Sequence, residues 1–146
     1  MKIQTITQIQ AFLQKHFEFA ECIIESIVFS KYATSVTICV NSIWDSSGNV
    51  REDLNRKRQI VVMEFQLVKT FTLINDWTTS MIEEPEAIGW GLNEIALVRS
   101  LPPESQSEPV DFVKVEFLWE GNRRIEVVFC GLDVTERDEV VIERTE

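Results

Sequence analysis

Apolar and polar positions alternate with period two over much of this chain, most clearly from Asp111 to Val134. Val113, Val115, Phe117 and Trp119 share one side of a strand pattern, with Lys114 and Glu116 on the other; Ile125, Val127 and Phe129 then alternate with Arg124 and Glu126. Two strands folded into a hairpin are the simplest reading. A slip of one residue would turn one strand over, so the connection must be odd in length, and Gly121-Asn122-Arg123 satisfies that. The same loop sets Glu120 opposite Arg124, an exposed pair worth about 0.2 to 1 kcal/mol.

Upstream, the period changes once. Thr5 and Gln8 make a capping-box pattern, and Ile6, Ile9, Leu13 and Phe17 recur at helical spacing with Phe12 beside them, which predicts an amphipathic helix over 6–17. Packing on the domain's own sheet is favoured over docking on a partner. Strands are expected near 22–29 and 35–44, joined by a turn at Lys31 to Thr34 and paired with each other. The longest strand pattern covers 59–73, where Lys69 interrupts the apolar face and marks a bulge or strand end. Further strands are expected at 92–99, 112–119 and 124–130, and the Pro-rich segment 101–109 is a surface connection. The tail 136–146, net -3, is read as acidic, with Val140, Val141 and Ile142 available for a short edge strand.

The pattern gives one α+β domain, 1–146: an N-terminal helix packed on a curved antiparallel sheet or small sandwich of about six strands. The length of 146 residues and 45% hydrophobic content are enough for a sizeable core without a staple. Three widely spaced cysteines, Cys22, Cys39 and Cys130, read as buried thiols in a reducing compartment. With no leader pattern and no apolar run near ~18 residues, a cytoplasmic protein is the expectation.

Charge changes the functional picture more than the fold. The formal net charge of -10 disfavours nucleic acid and anionic membrane and favours solubility or a basic partner. Arg51, Arg56, Lys57 and Arg58 form a basic patch, but with Glu52 and Asp53 it nets only +2 and reads as a solvated loop tip.

Catalytic and cofactor signals are weak. His16 has no acidic residue at i±3 or i±4 and reads as a helix-terminal or half-buried side chain. Glu83, Glu84 and Glu86 lack the Asp/Asn/Gly rhythm of a calcium loop and read as a solvated acidic loop. A Gly-rich phosphate loop and a nucleophile elbow are both absent, so no catalytic residue, cofactor or metal is assigned. Trp119 belongs to the core face of the hairpin. Trp77 and Trp90, beside acidic residues, read equally as interface anchors or as loop fasteners.

The order of features resembles bacterial immunity-protein-like small domains found beside polymorphic toxins. The carrying residues are Phe19-Ala20-Glu21 with Ile24, Ser26 and Ile27, then Glu64-Phe65-Gln66-Leu67-Val68 within the strand from Val61 to Leu73, and last Phe129-Cys130-Gly131-Leu132-Asp133-Val134. Together they span roughly residues 19 to 135. The family favours Phe-His-Asp before its first strand, where this chain has Ala20 and Glu21. The resemblance implies an antiparallel α+β protein that binds and blocks a cognate toxin without catalysis, and the charge suits a basic toxin. Trp77, Glu83, Glu84, Glu86 and Trp90 are then the expected partner-binding surface. The competing readings are a self-associating structural or regulatory domain, pairing as a homodimer through an exposed edge, and a pocket lined by tryptophans.

Overall fold

Thr5 starts the helix where the capping pattern places it. Its Oγ1 accepts from the Gln8 backbone N–H at 3.1 Å, and Gln8 Oε1 accepts from the Thr5 N–H at 3.1 Å. The computed structural model describes residues 1–3, 5–44, 48–52, 57–74, 95–101, 112–119 and 123–140. Within them lie one α-helix, α1 (Ile6–Lys15), and nine strands: β1 (Lys2–Ile3), β2 (Ile23–Ser30), β3 (Ser35–Ser42), β4 (Lys57–Gln66), β5 (Thr70–Ile74), β6 (Leu97–Leu101), β7 (Val113–Leu118), β8 (Arg124–Phe129) and β9 (Gly131–Val140). They form two antiparallel sheets, ordered β1-β9-β4-β3-β2 and β5-β8-β7-β6. The α+β class therefore holds; of the expected single curved sheet or small sandwich of about six strands, the single sheet does not, and the described residues already contain nine strands in two sheets.

Three differences from the expected elements have local causes. The helix stops at Lys15, because His16 is its C-cap and Phe17, Glu18 and Phe19 all take positive φ in a short 3-10 turn. The stretch 59–73 is two strands. Leu67 turns to φ 51°, and residues 67–69 face only 129–130, since Gln66 pairs with Gly131 and Thr70 with Val128. That one extra residue is a bulge at which the paired ribbon β4-β9 bends into β5-β8 and passes from one sheet to the other. The expected break at Lys69 falls on this corner.

The third difference is the acidic tail. Its first half lies in β9, which runs through the interior of the first sheet between β1 and β4 and has its register set by Leu132 and Val134, both buried. The residues that follow, Thr135 to Asp138, are exposed. The alternation does not announce this strand, because its second half, Thr135 to Glu139, carries no apolar positions of its own.

The hairpin β7-β8 forms with both apolar sets inward, but two residues out of the expected register. Arg124 pairs with Leu118, not Glu120, and Trp119 N–H donates to the Arg123 carbonyl at 2.9 Å. The parity that controls side-chain facing is preserved by a shift of two, so the core is unaffected.

The core lies between the sheets. Phe65 from β4 meets Phe129 and Phe117 edge-on, with ring centroids 4.8 and 6.2 Å away, and Trp119 stacks on Phe117. Ile9, Phe12 and Leu13 bury the apolar stripe of α1 in the same core, with Phe19. Ile95 N–H and carbonyl bond Cys22 and Glu21, which fastens the chain after α1 to the start of β6. Arg51, expected in a solvated tip, is buried and donates from Nη1 to the Ser42 carbonyl at 3.2 Å, while Lys57 and Arg58 already belong to the β4 ladder.

Candidate functional site

Unpaired strand edges and exposed apolar side chains coincide at one corner of the protein. Among the described residues β2 pairs only with β3, and β5 only with β8. The Cα partners of Ile27 and Phe29 are Ile38 and Val36, both fully buried, so Ile27 and Phe29 face the core side, whereas Val28, opposite Thr37, faces outward. On β5, Phe71 and Leu73 lie opposite buried Val127 and Ile125 and also face inward. Being on the outermost strands, these inward residues are only partly covered. Phe29 is 51% and Leu73 56% exposed, and Phe29 meets Phe71 edge-on at 5.0 Å across the mouth of the sandwich.

The turn after β2 adds to the same surface. Lys31, Tyr32 and Ala33 all take φ between 50° and 66°, a left-handed region that costs an L-residue roughly 1 to 2 kcal/mol. The turn is held by Thr34, whose Oγ1 donates to the Lys31 carbonyl at 2.7 Å and whose carbonyl accepts from Val68 N–H at 2.8 Å. Tyr32 projects fully into solvent, and Leu67, on the bent corner that Thr34 grips, is 67% exposed. Val28, Phe29, Tyr32, Leu67 and Leu73 thus combine apolar surface with strand edges that have no partner strand among the described residues, which is what a strand-adding protein contact uses.

Two polar clusters contain the groups that chemistry would need. His16 is buried at the end of α1, stacked on Phe19 at 5.0 Å and edge-on to Phe12 at 5.0 Å. Its Nε2 lies 2.7 Å from Glu136 Oε1 on β9, and Lys15 Nζ reaches the same oxygen at 3.5 Å. Burial holds the imidazole below the ordinary histidine value against the pull of the Glu136 carboxylate. The pair clamps the helix to β9, with the imidazole held between the Phe12 and Phe19 rings.

A pH dependence follows. The unfolded chain binds a proton at His16 near the ordinary pKa of ~6.5 while the folded chain resists it, so stability is complete above that value and is lost as pH falls through the lower folded value. Urea midpoints taken from about pH 7.5 to about 5 should fall for the native protein more than for His16→Gln. A native midpoint that rises on acidification, relative to the variant, would show that pairing with Glu136 outweighs burial.

The second cluster lies on the outward face of the sheet β5-β8-β7-β6. Glu116, almost wholly buried, receives Arg99 Nε and Nη2 on Oε2 at 2.9 and 2.8 Å. Lys114 Nζ stands between Glu116 and the cross-strand Glu126, at 3.7 and 3.4 Å, and Arg124 Nε lies 3.1 Å from Glu126. Two carboxylates on neighbouring strands suggest acid/base work, but each is bracketed by cations in a run of five alternating charges with an arginine at each end. It is a structural network. Among the described residues no group of three His, Cys, Asp or Glu is arranged to hold a metal. Cys22 is buried, Cys39 and Cys130 are half-buried, and no disulfide links them.

The residues expected at a partner surface, Trp77, Glu83, Glu84, Glu86 and Trp90, lie outside the described residues. Trp119 is core as expected, and Trp44 donates from Nε1 to the Ala20 carbonyl at 2.6 Å. In the sequence pattern Val28, Phe29 and Leu73 are ordinary strand residues. One signal does set them apart: β2 is apolar on both faces, with Ile27, Val28 and Phe29 in succession, and an edge strand of that kind must leave apolar surface uncovered.

No helix among the described residues is long and apolar enough to cross a membrane. No protein-family model matches the chain, and a search of curated proteins found no match. Among solved structures, an uncharacterized protein from Neisseria gonorrhoeae aligns over 97% of this chain and 99% of its own, with 11% identity and a TM-score of 0.47.

Proposed function

We propose that this protein is a non-enzymatic protein-binding domain that offers its partner the edge of β2 and the open mouth between β2 and β5. The observation that carries the reading is the coincidence of exposed Val28, Phe29, Tyr32, Leu67 and Leu73 with two strand edges that have no partner strand among the described residues. Scattered apolar residues are ordinary on any surface; exposed apolar side chains on an edge strand, beside a mouth where Phe29 meets Phe71, are what an interface uses. In the two polar clusters, in contrast, each carboxylate lies against cations or the His16 ring.

The specific form supported by the net charge of -10 is an immunity-type protein that neutralises a cognate basic toxin in the cytoplasm. Such a surplus speeds encounter with a basic partner, while the apolar edge supplies the contact that slows its release. The test is a pull-down from the source organism at two salt concentrations with three baits: native, Phe29→Glu with Leu73→Glu, and Glu83, Glu84 and Glu86 changed to Lys. A basic protein retained by the native bait and at least about tenfold less by the first variant is the expected result. Loss with the Lys variant would add the acidic segment to the contact. Retention unchanged by Phe29→Glu with Leu73→Glu would overturn the surface, and no specific retention by any bait would overturn toxin binding.

A further inference from the structure

We draw no further inference here: the strongest candidate, the half-open apolar mouth between the edges of β2 and β5 where Phe29 meets Phe71, belongs to the surface already described, and nothing in the structure shows what covers it.

Discussion

Phe65→Ala is expected to cost about 3 to 5 kcal/mol of folding stability and to lower the thermal midpoint by roughly 10 °C or more. Phe65 is fully buried, and its ring is the point where the first sheet meets both Phe129 and Phe117 of the second. Removing it takes away the transfer free energy of the ring and leaves a cavity walled by two strands on one side and by Val36 and Leu132, its Cα partners on β3 and β9, on the other. These walls cannot collapse freely because β4 is hydrogen-bonded on both sides, to β3 and β9. Against a total of about 5 to 15 kcal/mol for a domain, the loss is a large fraction. Urea denaturation is the direct measurement, and a change below about 1.5 kcal/mol would show that the sheets are not keyed together at this ring.

Arg99→Met is expected to cost about 2 to 3 kcal/mol, less than a fully buried ion pair because the Arg99 side chain is 49% exposed. The cost arises at Glu116. Its carboxylate is almost completely out of water and would keep only Lys114 at 3.7 Å, an ammonium already shared with Glu126. The physical content lies in the comparison with the double variant. Arg99→Met combined with Glu116→Leu removes the buried charge together with its partner and should be less damaging than Arg99→Met alone, whereas independent contributions would make it worse. Chemical denaturation of the two single variants and the double one decides between these.

The two predictions differ in how far the sequence alone supported them. Phe65 stands in a period-two run with Val61 and Met63, so its burial was legible from the pattern. The charge network was not. Lys114, Glu116, Arg124 and Glu126 occupy the polar positions of two half-buried strands and look like a solvated face; only the pairing of β6 with β7 brings Arg99 onto Glu116 and shows that carboxylate to be enclosed. His16 belongs to the same class. It has no acidic neighbour along the helix, and its partner Glu136 is 120 residues away in sequence.

The candidate surface was half legible. The strand β2, the turn after it and the hairpin with β3 follow from β-branched and aromatic residues in succession, and the break near Lys69 follows from a single charge on an apolar face. That Phe29 and Phe71 meet does not follow, because their contact depends on the ribbon bending at Leu67 and on β2 and β5 each ending its own sheet.

By itself, then, the sequence determined the helix and its cap, the strand pairs that are neighbours along the chain, and which face of each strand is apolar. All of these are set by interactions within a few residues or by the two-residue period of the strand, which a linear pattern carries directly. Tertiary structure decided the rest: that β9 threads between β1 and β4, that the described strands form two sheets joined by a bent ribbon, and that β2 and β5 are among the strands left at their edges. Strand order is a property of which distant segments bury each other's faces best, and two strands with the same alternation are interchangeable until the whole core is assembled. Edges are what remain after that choice, which is why the surface proposed for binding is visible only in the folded chain.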